Sequence, residues 1–266
     1  MPRAGDFPTT SLPTGPTSRQ PDRVELLGVP VDRCTRQEAL ARCEAAIAQA
    51  SDPLQIVTLN PEMVMQARRQ PELRRAIRDS GLVLADGAGV VWACRHLGTP
   101  VPERIAGVDF LGELAEMAAQ HGWSVFLLGA GPGVAEAAAR ALRRDHPGLL
   151  IGGTWEGSAR ADEARGICAR VQESGAQVLA VAFGVPKQDL WLSRHLGQSG
   201  ALVGIGVGGS LDYLAGQVPR APLLLRRLGL EWTFRLVRQP WRLPRMLRAA
   251  PFFWEAIREP RKRSQA

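Results

Sequence analysis

The sequence is poor in the residues that build disulfide frameworks and metal sites. Its 266 residues include four cysteines and four histidines. The cysteines show no Cys-x-x-Cys spacing, and the histidines form no His-x-x-x-His or His-Cys group. This pattern is typical of buried thiols in a reducing cytoplasm and argues against a dedicated zinc site. We therefore expect neither a metal nor a cofactor.

Long apolar runs are missing as well. The longest uncharged stretch, residues 195–211, contains six glycines, two serines and Gln198, whereas a membrane-spanning helix needs ~20 mostly apolar residues. Residues 1–22 are rich in Pro, Thr and Ser and lack the apolar centre of a signal peptide, so they predict a disordered lead-in. Any attachment to a membrane is therefore expected to be peripheral.

Positive charge is concentrated at one end of the chain. Residues 219–266 hold twelve Arg or Lys and three acids, a net charge of +9, so the preceding 218 residues carry −2 of the total of +7. A nucleic-acid enzyme usually carries its positive charge around its cleft, so this asymmetry argues against a nucleic-acid partner. Aromatic residues are interleaved with these charges: Trp232, Phe234, Trp241, Phe252, Phe253 and Trp254. Such a composition is typical of a segment that lies on an anionic membrane.

Before this segment, strand and helix patterns alternate. Strands are predicted at residues 24–29, 54–59, 82–85, 124–128, 149–154, 177–183 and 201–206. Helices are predicted at residues 35–50, 87–97, 108–121, 132–145, 161–174 and 186–196, with further segments after Pro61 and Pro71, and Thr35 with Glu38 predicts a capping box. Apolar strands separated by helices of ~10–15 residues indicate a parallel sheet covered on both faces. We therefore predict a Rossmann-like, mostly parallel α/β domain over residues 23–218 and a basic, amphipathic helical appendage over residues 219–266.

Sheets of this kind bind ligands beyond the carboxyl ends of their strands. Three of the five informative strand ends are glycine-rich turns, at residues 86–89, 129–133 and 204–210, where backbone amides can approach phosphate closely. The turn at 129–133 is not a dinucleotide fingerprint, because Val134 stands where the third glycine belongs. Together the five ends favour a nucleotide or nucleotide-sugar cleft. The candidate backbone contacts are Gly129, Gly131, Gly208 and Gly209.

Polar side chains at the same strand ends are candidates for chemistry. Asp86 directly follows an apolar strand and precedes a glycine-rich turn, so its carboxylate is expected to face the cleft and accept a proton from a sugar hydroxyl. The alternative is that Asp86 caps the following helix. Thr58 and Asn60 either bond sugar hydroxyls or cap the helix entered through Pro61. Gln188 either binds substrate or is a solvated residue in the first turn of its helix.

The strand ends belong to a longer series of motifs. In order, these are Thr58-x-Asn60-Pro61-Glu62, Leu84-Ala85-Asp86-Gly87-x-Gly89, Arg104-x-x-Gly107-x-Asp109, Leu128-Gly129 with Pro132-Gly133, Gly184-x-Pro186-Lys187-Gln188, Gly206-Val207-Gly208-Gly209-Ser210-Leu211-Asp212, Arg220-Ala221-Pro222, and Leu228-Gly229-Leu230-Glu231-Trp232 with Arg235-Leu236. Together they resemble the WecG/TagA/CpsF family of bacterial glycosyltransferases, from about residue 24 to about residue 245. One departure is Asp189, where the family usually has Glu.

The resemblance implies transfer of an N-acetylmannosamine-type sugar from a UDP donor to N-acetylglucosamine on an undecaprenyl diphosphate carrier, in teichoic acid or surface polysaccharide synthesis. It also implies a metal-independent, inverting reaction with Asp86 as general base and Thr58 beside it. The family's basic appendage helps complete the site and associates with the membrane. The expected location is thus the cytoplasmic, inner face of the bacterial cell membrane, with homo-oligomerisation left open.

The leaving UDP gathers negative charge on its diphosphate, and the sequence has no Asp-x-Asp-type metal motif, so arginines are expected to offset this charge. The candidates in the appendage are Arg220, Arg226, Arg227, Arg235 and Arg238. The alternative is that they only face lipid phosphates, although different faces of one helix can do both. Arg104 and Asp109 are further candidate substrate contacts, or else a surface ion pair.

Two other functions stay open at this point. The first alternative is the same sugar-transfer reaction with a different donor, UDP-N-acetylmannosaminuronate, UDP-glucose or UDP-glucuronate, for exopolysaccharide assembly. In a different class, the chain is a non-catalytic nucleotide-binding protein at the membrane. The presence of both Thr58 and Asp86 argues against the second alternative.

Overall fold

The computed structural model describes residues 22–50, 52–222, 224–225, 231–240 and 243–260. Of the predicted lead-in, only residue 22 is among them. The strands are β1 (Arg23–Leu26), β2 (Val29–Asp32), β3 (Leu54–Leu59), β4 (Leu82–Ala85), β5 (Ser124–Gly129), β6 (Leu150–Trp155), β7 (Val178–Ala182) and β8 (Val203–Gly206). The helices are α1 (Arg36–Gln49), α2 (Pro61–Arg69), α3 (Pro71–Asp79), α4 (Ala88–His96), α5 (Gly107–His121), α6 (Val134–Asp145), α7 (Ala161–Glu173), α8 (Lys187–His195), α9 (Ser210–Leu214), α10 (Glu231–Arg238), α11 (Leu243–Ala249) and α12 (Pro251–Arg258).

Six strands form one parallel sheet in the order β4-β3-β8-β7-β5-β6. Because all six run in the same direction, their carboxyl ends lie along one edge. Along that edge the ends of β4, β3 and β8 are consecutive neighbours, and the end of β5 follows after β7. The predicted Rossmann-like α/β fold is confirmed.

Both faces of the sheet are covered, and this explains the unbroken apolar strands. Ile56 and Leu84 point into one core, which α1, α5, α6 and α9 cover. Val57 and Val83 point to the other face, where the β1–β2 hairpin packs with α2, α3 and α4. On that same face, α7 and α8 cover β5 and β7 in a third cluster.

Local signals placed most elements within two residues of their observed bounds, although α9 was not predicted. The predicted capping box of α1 is confirmed, because Thr35 Oγ1 accepts a hydrogen bond from the Glu38 amide and the Glu38 carboxylate accepts one from the Thr35 amide. The strand predicted at residues 24–29 is wrong, since a turn at residues 27–28 divides it into the antiparallel hairpin β1–β2. Helix α6 begins at Val134 and not at residue 132, because Gly133 adopts a left-handed conformation with φ of 71°.

The described part of the appendage is helical and packs on the domain. Helix α12 contacts α2 and α4, and α11 contacts α2. Phe252 and Ala256 of α12 are completely buried in the same core cluster as α2 and α4. Arg68 of α2 and Glu255 form an ion pair of 2.8 Å across this contact. Among the helices that the structure describes, none is long and apolar enough to cross a bilayer.

Candidate active site

Asp86 lies at the carboxyl end of β4, beside the end of β3. Its backbone amide donates a hydrogen bond of 3.0 Å to the carbonyl of Leu59, the last residue of β3. The residue is half-buried. The N-cap of α4 is Gly87, and this helix has no side-chain cap, so Asp86 is not the capping residue that the sequence allowed. The carboxylate is therefore positioned at the sheet edge, where ligands bind in folds of this type.

The turn after Asp86 is pressed against the start of α2. A Cβ atom on Gly87 would lie 2.7 Å from Pro61 Cδ, and one on Gly89 would lie 2.9 Å from Pro61 Cγ. Both separations are shorter than real Cβ contacts, so larger residues at these positions would push the turn away from α2. The two glycines thus allow the ends of β3 and β4 to come together.

Thr58 is buried within the sheet and is not exposed at its edge. Its hydroxyl donates a hydrogen bond of 3.0 Å to the carbonyl of Gly206, which joins the ends of β3 and β8. On the other side it packs against Gly107, the first residue of α5. In this arrangement Thr58 holds three parts of the site edge together.

Asn60 is the N-cap of α2, and its side-chain oxygen accepts a hydrogen bond of 3.0 Å from the Met63 amide. This is the helix-capping alternative for Asn60, and it holds one of the otherwise unpaired amides at the helix start. Pro61 occupies the next position, where its missing N–H costs nothing.

Gln188 is buried and not solvated. Its side-chain oxygen accepts a hydrogen bond of 2.9 Å from the amide of Gly208, in the loop after β8. Gly209 is the N-cap of α9. The first turn of α8 therefore shapes the glycine-rich loop, and the solvated alternative for Gln188 is wrong. Whether Gly208 and Gly209 contact a donor stays a prediction.

Asp189, the next residue, is a fully buried acid. The sequence marked it only as an Asp where the resembled family usually has Glu. Neither carboxylate oxygen has a hydrogen-bond partner in the described part of the chain. Burial raises the pKa of Asp189 from 3.8 to about 7. Its backbone carbonyl accepts a hydrogen bond from Gln55, and its side chain lies against Gly206. No signal in the local sequence predicted this burial.

The loop after β5 is tightly folded against the end of β7. The Ala130 amide donates a hydrogen bond to the Ala182 carbonyl, and Gly129 lies against the ring of Phe183. The amide of Gly133, at the start of α6, donates to the Glu156 carboxylate at 3.0 Å. A carboxylate of the protein itself thus occupies one of the backbone amides at the start of α6. Contacts of Gly129 and Gly131 with a donor stay predictions.

Arg104 and Asp109 do not pair with each other. Asp109 instead forms a bidentate ion pair with Arg220, with Nη2–Oδ2 at 2.7 Å and Nη1–Oδ1 at 2.6 Å. Arg220 Nε also lies 3.8 Å from a Glu231 carboxylate oxygen. This paired geometry ties the start of the appendage to the first turn of α5. The surface-pair alternative for Arg104 is therefore wrong.

Arg104 instead lies next to the proposed base. The amide of Ile105 donates a hydrogen bond of 3.0 Å to the carbonyl of Ala85, the residue before Asp86. Arg104 is half-buried and makes no ion pair with any residue that the structure describes. Because no described carboxylate pairs with it, this guanidinium can contact a bound phosphate or sugar.

The remaining appendage arginines divide into two groups. Arg226, Arg227 and the side chain of Arg235 lie outside the part of the chain that the structure describes. Arg238 is exposed, and its guanidinium lies 5.5 Å from the centre of the Phe234 ring. Their predicted role at the diphosphate stays a prediction.

The described residues contain no group of three or more His, Cys, Asp or Glu that could hold a metal ion. The four cysteines are buried, as predicted, and burial raises the pKa of Cys34 and Cys43 to about 12 and that of Cys94 to about 11. These three thiols are therefore protonated and unreactive at neutral pH.

Comparison with known proteins decides the family. The model of the glycosyl transferase WecG/TagA/CpsF family matches residues 24–266. The chain belongs to the WecG/TagA/CpsF family. Two relatives from Staphylococcus aureus, strains MW2 and NCTC 8325 / PS 47, are each 32% identical to it over 242 residues, which cover 91% of this chain and 94% of the relative. Both are named N-acetylglucosaminyldiphosphoundecaprenol N-acetyl-beta-D-mannosaminyltransferase.

Membership makes this chain a glycosyltransferase, and the geometry fits that chemistry. A carboxylate lies on the edge of the sheet, an arginine without an ion pair among the described residues neighbours it, and glycine-rich loops form the rest of the edge. The carboxylate and the glycine-rich loops at the sheet edge were predicted from the sequence, whereas the position of Arg104 beside Asp86 was not. The contacts between Gln188 and Gly208, between Gly133 and Glu156, and between Arg220 and Asp109 were not.

Proposed function

We propose that this enzyme transfers an N-acetylmannosamine-type sugar from a UDP donor to N-acetylglucosaminyl-diphospho-undecaprenol, with inversion, in teichoic acid or surface polysaccharide synthesis. The observation that carries the proposal is the half-buried Asp86 at the joined ends of β3 and β4. It is supported by relatives that bear this activity in their names and align with 91% of the chain.

In the proposed reaction, the Asp86 carboxylate accepts the proton of the acceptor's 4-hydroxyl. The hydroxyl oxygen attacks the anomeric carbon of the donor sugar from the face opposite UDP. The new glycosidic C–O bond forms as the bond to UDP breaks, and the bonding electrons leave with the diphosphate. A single displacement of this kind inverts the anomeric centre, and a positioned base typically accelerates it by ~10²–10⁴-fold.

Arginines stabilise the departing diphosphate in this proposal. Arg104 is the described side chain best placed for that role, because it adjoins the end of β4 and has no ion pair within the described residues. Arg220 is engaged with Asp109, so we assign it to holding the appendage beside the site. Arg226, Arg227, Arg235 and Arg238 are proposed to complete the charge over the donor.

Thr58 and Gln188 are proposed to position other parts of the site. Thr58 fixes the end of β3 to that of β8, and Gln188 fixes the loop that holds Gly208. We propose that both keep the donor-binding loops at the correct distance from Asp86. Gly129, Gly131 and Gly209 are proposed to provide backbone contacts to the donor.

We also propose that residues 219–266 form an appendage to a catalytic domain of residues 23–218 and dock on the inner face of the cell membrane. The described appendage residues with exposed large apolar side chains are Leu224, Trp232, Val237, Leu243, Leu247, Phe253, Trp254 and Ile257. Arg258 lies 4.3 Å from the ring centre of Trp254. Exposed aromatics beside arginines match an anionic bilayer surface.

Release of UDP tests this function. The purified protein is incubated with UDP-N-acetylmannosamine, with and without a N-acetylglucosaminyl-diphosphate lipid, and UDP is measured. Release that depends on the acceptor supports the proposal. If the enzyme prefers UDP-N-acetylmannosaminuronate, UDP-glucose or UDP-glucuronate in the same assay, that sugar nucleotide is the donor instead. If no donor gives acceptor-dependent release of UDP, a non-catalytic protein is favoured.

A further inference from the structure

A cavity of about 460 Å³ lies beside the candidate active site, between α2, the loop after β7 and α11. Ligand pockets typically measure ~300–1,000 Å³, so it has room for a sugar that carries two phosphates. Among its described lining residues are none of those assigned above to the reaction. It is therefore a separate feature of the same sheet edge.

The cavity is lined by two arginines and one acid, Glu62. One face of α2 contributes Glu62, Gln66 and Arg69, and α11 contributes Arg248 from the opposite side. Glu62 accepts a hydrogen bond of 3.1 Å from the Gln66 side chain. Neither Arg69 nor Arg248 makes an ion pair within the described part of the chain. The two guanidinium groups, which pair with no described carboxylate, outnumber the single carboxylate of the lining, so a bound anion is favoured. Their planar donor sets match phosphate oxygens.

The cavity also leads towards the proposed base. Its lining runs along α2 from Glu62 to Arg69, a rise of ~10 Å for seven residues of helix. Glu62 directly follows Pro61, whose ring contacts the Gly87–Gly89 turn after Asp86. A ligand with its phosphates at Arg69 therefore extends its other end towards the ends of β3 and β4.

Two exposed leucines lie on α11, the helix that carries Arg248, outside the described lining of the cavity. Leu247, which directly precedes Arg248, is 63% exposed, and Leu243 is 48% exposed. These leucines are four residues apart and share one side of α11. A lipid tail that leaves phosphates bound at Arg248 can therefore lie along these leucines, on the neighbouring side of α11.

We propose that this cavity is the acceptor subsite of the enzyme. Arg69 and Arg248 bind the diphosphate of a polyprenol-linked sugar, the sugar extends past Gln66 towards Asp86, and the polyprenyl chain leaves along Leu247. This inference rests on the proposed function and adds the location of the acceptor. It separates the acceptor diphosphate from the donor diphosphate, which Arg104 and the other appendage arginines are proposed to hold.

The test uses the full-length protein and a water-soluble N-acetylglucosaminyl diphosphate with a short alkyl chain, without vesicles. Arg69→Ala and Arg248→Ala are expected to raise the acceptor KM by about tenfold each, the loss expected for one charge-assisted hydrogen bond. The donor KM and kcat are expected to change less than twofold. Arg140→Ala is the matched control, since Arg140 is exposed on α6, on the opposite face of the sheet, and should change none of these constants.

Binding of the same analogue without donor is measured by titration calorimetry. Loss of binding in both variants supports the subsite even if the wild-type protein transfers no sugar, in which case only the proposed function fails. Unchanged acceptor KM and binding in variants that still transfer sugar would overturn the subsite and leave the function intact. An equal rise in donor KM would overturn it as well, because the arginines would then serve the donor.

The phosphate of a membrane lipid is the other source of the same chemistry. Anionic phosphatidylglycerol vesicles distinguish it, in a sedimentation assay with the same variants. Loss of vesicle binding together with an unchanged KM for the soluble acceptor would assign Arg69 and Arg248 to lipid headgroups and would reject the acceptor subsite.

Discussion

Replacing Asp189 with Asn is expected to remove a pH-dependent loss of stability. Asp189 is completely buried, and burial raises its pKa from 3.8 to about 7. Between these two values the folded protein keeps a proton that the unfolded chain has released. The free energy of unfolding therefore falls as the pH rises through this range, and it levels off above pH 7.

The size of the effect follows from the shift. A difference of about three pKa units corresponds to about 4 kcal/mol in total, at ~1.4 kcal/mol per unit. Some of this range lies below pH 5, so the part that falls between pH 5 and pH 8 is about 3 kcal/mol. The Asn side chain is neutral throughout and carries no such dependence. The Asn variant should therefore gain stability relative to the wild-type protein as the pH rises.

Urea denaturation at pH 5 and pH 8 measures this gain. The free-energy difference between Asp189→Asn and wild type is expected to shift by about 3 kcal/mol in favour of the variant from pH 5 to pH 8. Asp52→Asn is the matched control, because Asp52 is exposed and its replacement should follow the wild-type profile. Parallel pH profiles for wild type and the Asp189 variant would show that the buried carboxyl group does not titrate as argued.

Four other predictions test the site and the appendage. Asp86→Asn should keep the fold and donor binding but slow transfer by ~10²–10⁴-fold, and near-normal turnover in a UDP-release assay would remove Asp86 as the base. Activity in excess EDTA should equal that with magnesium, because arginines are proposed to stabilise the diphosphate, and a reversible loss would reveal a metal requirement. Trp232→Ser combined with Trp254→Ser should weaken sedimentation with anionic vesicles without changing the unfolding transition, since both residues are more than half exposed. By contrast, Phe252→Ala changes a completely buried position and should lower the free energy of unfolding by ~3–5 kcal/mol. Vesicle binding that stays unchanged in the double tryptophan variant would contradict the proposed membrane surface.

Local sequence predicted the elements whose signals are local. Strands β3 and β4 were predicted to the residue, because each is a short apolar run that ends at a polar side chain, Asn60 or Asp86. The β1–β2 hairpin was missed because one of its two turn residues is Leu27, which has a positive φ of 51° without the usual glycine or asparagine signal.

The candidate site was predictable only in part, for a related reason. The position of Asp86 follows from the end of its strand, so the sequence was sufficient. The partners of Gln188 and Arg220 are 20 and 111 residues away along the chain. Such pairings depend on the order of the strands in the sheet, which no local pattern encodes. The burial of Asp189 likewise depends on which face of α8 meets β8.

The burial of Phe252 and Ala256 has a consequence for how the enzyme meets its lipid substrate. Because α12 is anchored in the core beneath α2 and α4, it cannot behave as a loose tether. Those two helices begin at the ends of β3 and β4, so the height of Asp86 above a bilayer touching Trp254 is set by rigid packing. A carrier lipid likewise holds its sugar at a constant height, through the length of its diphosphate. On the proposed membrane surface, the enzyme and its acceptor would then be aligned by a common reference plane, and encounter would reduce to a search in two dimensions.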